Sequence, residues 1–505
     1  MFGFNITWIL ASAISIILIF VCRNVSKIYD YWLIRGVPYA KPVWGFGNLS
    51  FIMRKSAWEF FDDLRRKHPL DYVGIYLGWQ PALVVQSPEL ARRILVKDFK
   101  NFQDRYLYSN SSDPLGSLNL FTVKNPIWSE MRHHVAPSFT TAKLRTITEL
   151  MNLNATELVQ KIQRDYIDKK QPVNLKELFT MYTSDTVGYT VFGLRVSVLS
   201  GSDSPLWVIT SHIVRWTFWR GLEFTMIFFM PVIAKIFKFK FFSGPATEYV
   251  KQLFWNVVKE RENSKTTEHK DLVQLLLKMK ETMKLPAEAG SQLADDLMLA
   301  QAAVFILGSV ETSSGTLSSC LHELAHHPEE QEKLYKEVSD ALTRSGKEVL
   351  EYDDLMELEY LSACLYETMR KHPAVPYLDR ICAKAYDLEG VRIEEGVPVL
   401  VNVVALHHDP RYHPNPELWD PSRPTAASEN DNLGYTFLPF GEGPRFCIGK
   451  RYGMMQMRAA LAQLIHKYRV EPGPVPYIVQ PDPYSVLLAP KNGGCVKFVR
   501  RHKAN

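Results

Sequence analysis

Residues 440–449 read Phe-Gly-Glu-Gly-Pro-Arg-Phe-Cys-Ile-Gly, a loop that frames one thiol, Cys447, with Gly441, Gly443, Gly449 and Arg445. Glycine costs backbone entropy and is kept where a chain turns sharply or approaches something closely. A thiolate that acts as a ligand must stay ionised and dry, and backbone amides that donate to its sulfur serve both needs. A helix starting near Cys447 would also aim its positive end at the sulfur. Against this stands the ordinary use of free cysteine as a small buried hydrophobe. A second charged pattern, Glu367-Thr-Met-Arg370, puts opposite charges on one helix face, which taken alone is a surface ion pair. His407, His408 and His413 are close enough in sequence to raise the question of a metal.

These residues need a large, mainly helical body to position them. From about residue 55 helical patterns dominate, with strand candidates near 72–86 and 390–403. No repeat or low-complexity tract follows residue 50, so residues 49–505 read as one domain. Asp295 to about His326 reads as a single helix whose middle is apolar on nearly every face, a natural wall for an internal cavity. Residues 207–242 mix Trp216, Phe218, Trp219, Phe224 and Phe228 with Arg215, Arg220, Lys235 and Lys238. Half of the aromatic side chains there read as core, and the rest fit a surface dipping into lipid.

The balance of 59 basic against 54 acidic residues is too mild to argue for nucleic acid. Six cysteines without close pairs, and no CxxC, indicate a reducing compartment rather than disulfides or a zinc ribbon. Residues 1–22 carry no charge, and the apolar run from Ile6 to Cys22 reaches the lower limit for a spanning helix. The missing n-region charge argues against a cleaved signal and for an uncleaved N-terminal membrane anchor over residues 1–22. Arg23, Lys27, Arg35 and Lys41 follow against Asp30 alone, which places the body on the cytoplasmic side. Residues 23–48, rich in proline and glycine, form a stiff connector. The sequons at Asn5, Asn110 and Asn154 are discounted, since the last two would face cytosol. No GxGxxG follows a strand, so the chain has no nucleotide fold of its own.

Phe440-x-x-Gly443-x-Arg445-x-Cys447-x-Gly449 matches the haem-binding loop of cytochrome P450s at every defined position. The resemblance covers residues 35–500 and is greatest to insect microsomal P450s of the detoxifying clan. It implies a mainly α fold with small β-sheets, a helical prism enclosing haem b, with Cys447 as the axial thiolate. Glu367 and Arg370 then resemble the family's ExxR, closed by Arg423 in Trp419-Asp-Pro421-Ser-Arg423-Pro. Ser422 and Pro424 depart there from the usual Glu and Phe. Trp128 and Arg132 resemble the family's helix that holds a haem propionate, and Arg380 and Arg445 occupy two further propionate positions. The family's irregular meander covers the three histidines, which therefore read as structural or surface residues. Gly308-Ser-Val-Glu311-Thr312 resembles the oxygen-activating stretch, in which Glu311 and Thr312 deliver protons. Ser309 stands where the family has glycine, and its hydroxyl could bond back to a carbonyl one turn earlier.

What the resemblance implies is insertion of one atom of O₂ into an apolar small molecule, whether plant toxin, insecticide or endogenous compound. Electrons would come from NADPH–cytochrome P450 reductase, with cytochrome b5 as an accessory partner, through a basic face including Arg132, Lys143, Lys450 and Arg451. The setting would be the endoplasmic reticulum membrane, with the catalytic domain facing the cytosol. Cavity-lining candidates are residues 103–125, 205–230, 301–312, 374–379 and 483–488. Two other functions compete. Aldoxime dehydration and hydroxylation in cyanogenic defence-compound biosynthesis is motivated by Ser309, and a haem-thiolate sensor or sequestering protein would need no turnover.

Overall fold

A helix that is apolar all round must be enclosed by protein, and the longest helix of this chain is built that way. The computed structural model describes residues 23–50, 55–201, 206–207, 210–211, 215–263, 271–283, 291–423, 434–478, 480–491 and 494–501, with isolated positions before residue 23. The expected anchor over 1–22 lies almost wholly outside the described residues, and so does Pro424. The helices that matter for the site are α1 (Ile127–Val135), α2 (Thr141–Lys161), α3 (Leu175–Phe192), α4 (Phe218–Phe229), α5 (Leu272–Thr282), α6 (Ser291–His326), α7 (Glu359–Lys371) and α8 (Lys450–Lys467). Helix α6 begins about one turn before the expected Asp295 and ends at His326, as expected. Its length and hydropathy would suit a membrane span. Leu297, Met298, Ala302, Ile306, Val310 and Leu317 are nonetheless buried around its circumference, so it is a core helix. It runs along α3, with α5, α7 and α8 also against it.

Small sheets pack on this helical body. Strands β1 (Tyr72–Leu77) and β2 (Gln80–Val85) form an antiparallel hairpin. In chain order there follow β3 (Val173–Asn174), β4 (Tyr377–Ile381), β5 (Tyr386–Leu388), β6 (Val391–Ile393), β7 (Pro398–Asn402), β8 (Tyr468–Pro472) and β9 (Cys495–Arg500). The main sheet has the order β1-β2-β7-β4, with β7 parallel to β2 and antiparallel to β4. Every residue of β7 is buried, as a central strand covered on both faces requires. The register that pairs Arg380 with Val399 fixes where the Arg380 backbone stands. A three-stranded sheet β3-β9-β8 and the β5–β6 hairpin complete the set.

Helix α7 has Glu359 in its first turn and Arg370 and Lys371 in its last, each sign where the helix dipole favours it. Pro373 ends it. Near its end Glu367 is fully buried and takes two parallel hydrogen bonds from Arg370, Nε to Oε2 and Nη2 to Oε1, both 2.8 Å. Arg423 Nε adds a third contact to Oε1 at 3.2 Å, and the Asp420 amide a fourth at 3.0 Å. The guanidiniums also donate outward, Arg370 to the carbonyls of His407 and Leu418 and Arg423 to those of Pro414 and Asn415. One carboxylate thus ties α7 to the irregular segment 407–423. Ser422 caps its neighbour Asp420 instead of contributing to the pair.

The three histidines are buried and hydrogen-bonded within this meander. His407 accepts from the Leu438 amide at 2.8 Å and reaches the Arg370 carbonyl at 3.3 Å, linking the charged network to the approach to the cysteine loop. Burial holds its pKa down to about 3, so the ring is neutral. His408 and His413 bond the carbonyls of Val404 and Thr436. Removing the shared carboxylate should be costly, because two cations would remain in a dry site. Glu367→Ala is expected to destabilise the protein by about 3–5 kcal/mol, measured by urea unfolding followed by circular dichroism. A loss below about 1 kcal/mol, the range of an exposed pair, would contradict that reading.

Candidate active site

The cysteine loop approaches a neighbouring backbone at Gly443 so closely that no side chain fits there. Gly443 has φ +74°, and a Cβ there would stand 2.0 Å from the Leu95 carbonyl oxygen. The Cys447 amide donates to the Phe440 carbonyl at 2.8 Å, closing the loop on itself, and α8 begins directly after Gly449. Cys447 has accessible surface although it lies deep in the body, because its open side faces an internal cavity of about 440 Å³. Burial raises the thiol's pKa. The Gly449 amide, Arg132, Arg105 and Lys450 oppose that rise.

Around the same cavity stand Trp128, Arg132, Arg380, Phe440, Arg445 and Gly449, so the expected constellation does converge. Arg445 donates through Nε to the Gln103 carbonyl and through Nη2 to Asp104 at 3.0 Å and the Val123 carbonyl at 3.2 Å. Its guanidinium lies 4.2 Å from the Trp128 ring centre, while Nη1 is buried without a partner among the described residues. Arg380 is fully buried, donates through Nη1 to the Asp379 carbonyl, and leaves Nε without a partner among the described residues. Burial pulls both arginines down to about 9, which for a group that does not deprotonate registers an unmet demand for negative charge. The Arg132 guanidinium lies 4.6 Å from the Phe446 ring centre, and its side chain makes no hydrogen bond among the described residues. It also lines the cavity.

Arg105 was not singled out by the sequence. It lines the cavity, pairs with Asp379 at 3.0 Å and stacks on Phe121 at 4.2 Å. Asp379 also accepts the Tyr106 amide at 2.7 Å, which pins residues 105–107 to β4. Beside them burial lowers Lys124 to about 8, and its ammonium donates to the carbonyls of Arg105 and Leu107. Arg105, Lys124, Arg380 and Arg445 therefore share Asp104 and Asp379. The surplus is positive, and it surrounds a space.

On the opposite wall α6 presents Val304, Phe305, Gly308, Ser309 and Thr312. Thr312 Oγ1 donates to the Gly308 carbonyl at 2.7 Å, and Ser309 Oγ to the Phe305 carbonyl at 2.5 Å, the back-bond expected of it. Glu311 does not line the cavity. It is buried, with one carboxylate oxygen 3.1 Å from Lys176 Nζ on α3, too poorly aligned to count as a hydrogen bond. Ala374, Val375 and Leu378 line the cavity as expected, whereas no described residue of 205–230 or 483–488 does. The physical reason for the first gap is that Phe224, Phe228 and Phe241 pack on one another and on Phe121, which closes the cavity before they are reached. Gly443→Ala should misplace the thiol loop, since neither φ nor the Leu95 carbonyl can yield cheaply. It is expected to cost at least about 3 kcal/mol by differential scanning calorimetry, and an unchanged unfolding midpoint would contradict the geometry.

Comparison with known proteins agrees with this arrangement. The family profile described as Cytochrome P450 matches residues 37–498. Cytochrome P450 6k1 of Blattella germanica is 31% identical over 498 residues, covering 94% of this chain and 93% of the relative. Probable cytochrome P450 6g2 of Drosophila melanogaster is 31% identical over 494 residues, with coverage of 94% and 95%. Cytochrome P450 6l1 of Blattella germanica is 32% identical over 478 residues, with coverage of 92% and 91%. With a thiol facing a cavity ringed by unsatisfied guanidinium groups, and a family match along nearly its whole length, the chain belongs to the cytochrome P450 family and is a monooxygenase similar to insect members of it.

Proposed function

We propose that the enzyme inserts oxygen into an apolar small molecule, and that Cys447 would hold haem b through its thiolate. The observation that carries this reading is the pair of buried guanidinium atoms, Arg380 Nε and Arg445 Nη1, that have no partner among the described residues and belong to side chains lining the cavity that the thiol faces. A planar group bearing two carboxylates fits that demand, with Arg105, Arg132 and Trp128 beside them and Phe440 and Gly449 shaping the thiol side. Haem, when bound, supplies the redox and dioxygen chemistry, and a thiolate ligand favours O–O cleavage.

The chain's own residues then orient, exclude water and move protons. Leu120, Phe121, Val304, Phe305, Val375 and Leu378 give the cavity an apolar wall suited to an apolar substrate. Thr312 holds a proton at Oγ1 on that wall. Glu311 can resupply it only by leaving Lys176, so proton delivery is coupled to that ion pair. Ser309 and Thr312 make the same back-bond, to the carbonyls of Phe305 and Gly308, so either hydroxyl must turn from it to donate into the cavity.

Electrons would arrive from NADPH–cytochrome P450 reductase at the exposed Lys450 and Arg451, which open α8 next to the cysteine loop. The membrane contact is proposed to combine residues 1–22 with a second surface. Trp44 and Phe46 are 55% and 66% exposed, and their turn joins the end of β1 through the Gly47–Leu77 bridge. Gly78 packs against Met230, after which Val232, Ile236 and Phe237 are exposed in turn. These side chains form one apolar face suited to the lipid interface of the endoplasmic reticulum, with the catalytic body on the cytosolic side.

Two experiments test this reading. Turnover under ¹⁸O₂ should label the product, and Thr312→Ala should lower product formed per NADPH by at least about tenfold as peroxide or water replaces it. Product formed without label would refute oxygen insertion. For the membrane surface, a chain lacking residues 1–22 should still sediment in part with liposomes, and adding Trp44→Ser, Phe46→Ser and Phe237→Ser should release it. A truncated chain that is already fully soluble at low salt would remove the second contact.

A further inference from the structure

One lobe of the cavity, which meets the substrate wall only at Phe305, has no role in the chemistry above. It runs between residues 137–147, which lead into and form the first turns of α2, and helix α5, against α6. Its floor is apolar: Phe139 stacks on Phe305 at 5.4 Å, and Ile147, Leu272 and Leu275 complete it. Its rim carries two ammonium groups, Lys143, half-buried, and Lys278, exposed. Neither meets a carboxylate among the described residues. The acid in the lobe's wall, Asp271, is already held by Arg261 in two contacts of 2.9 and 2.6 Å, and its Oδ1 also caps α5 through the Gln274 amide at 3.1 Å. Its charge is therefore not available to the lysines.

This combination selects a ligand chemistry. A small inorganic anion would pair with the lysines but leave the apolar floor wet, forfeiting the burial that makes such a lobe favourable to fill. A neutral hydrocarbon would cover the floor and leave a half-buried ammonium desolvated and unpaired, which is costly. A ligand with both parts satisfies both. We propose that this lobe is a second binding site, for an amphipathic anion whose carboxylate or sulfonate pairs with Lys143 and Lys278 while its apolar body lies on Phe139, Ile147, Leu275 and Phe305. The pairing itself does not involve Cys447, and only the imidazole arm of the test rests on the proposed haem site. It also reassigns Lys143 from the outer docking face to a ligand rim.

The test uses full-length, detergent-solubilised holoenzyme and radiolabelled octanoate in equilibrium dialysis, with a bulky imidazole saturating the reacting cavity. Octanoate should bind with the imidazole in place, at least about tenfold more tightly than octanol, and more weakly as salt is raised. Lys143→Gln should weaken octanoate about tenfold and Lys278→Gln about threefold, the difference following their burial, while octanol is unchanged. Lys143→Arg should retain binding. Displacement of octanoate by the imidazole, equal affinity for octanoate and octanol, or indifference to both lysine substitutions would each overturn the site. If a variant fails to fold, the octanoate-to-octanol ratio and the salt dependence of the unmodified protein decide the matter.

Discussion

Uncompensated positive charge in a dry place is the constraint on which the site depends. Arg105, Lys124, Arg380 and Arg445 crowd one wall and share Asp104 and Asp379, with Arg380 Nε and Arg445 Nη1 left without partners among the described residues. Buried charges are expensive unless paired, so this wall is unfavourable by itself and becomes favourable with a dianion against it. The rest of the framework holds the guanidiniums where they would otherwise repel one another. Asp379 fixes 105–107 to β4, the carbonyls of Gln103 and Val123 hold Arg445, and β4 pairing sets Arg380. In the function proposed for this site, the wall would contribute binding energy toward a dianionic cofactor.

A second charged cluster does the opposite job. Around Glu367 one carboxylate is shared by two arginines, and every guanidinium nitrogen of Arg370 has a partner on that carboxylate or on the backbone. Being complete, it rigidifies. His407 carries that rigidity to Leu438, just before the cysteine loop, so the loop's position is inherited from a site that takes no part in the chemistry. Sequence motifs that look alike on paper, each an acid with arginines, thus have different energetic roles, and only the tally of partners tells them apart.

Much of this was legible in the sequence because it is local. The glycine spacing around Cys447, the helical register of Glu367 and Arg370, and the back-bond of Ser309 all lie within a loop or one helical turn. What was not legible depends on contacts between distant segments. Arg105 has no motif around it, and its place at the cavity follows from Asp379, far along the chain. Glu311 sits one residue from Thr312, and helical spacing alone allows it to share the cavity, but Lys176 on α3 draws it away. The lining expected from 205–230 is absent because aromatic rings from separate elements prefer one another to an open space. Periodicity could locate those rings on their elements, and nothing in it could say which elements would meet.

The central claim is that the cavity and its thiol form a haem-thiolate site, and the ligand to iron tests it most directly. The absorption spectrum of the reduced protein under carbon monoxide should show the strongly red-shifted Soret band of thiolate-bound haem, and Cys447→His should lose that band while the chain remains folded by circular dichroism. A band at the position typical of histidine ligation in the unmodified protein, or a red-shifted band that survives loss of Cys447, would contradict the account.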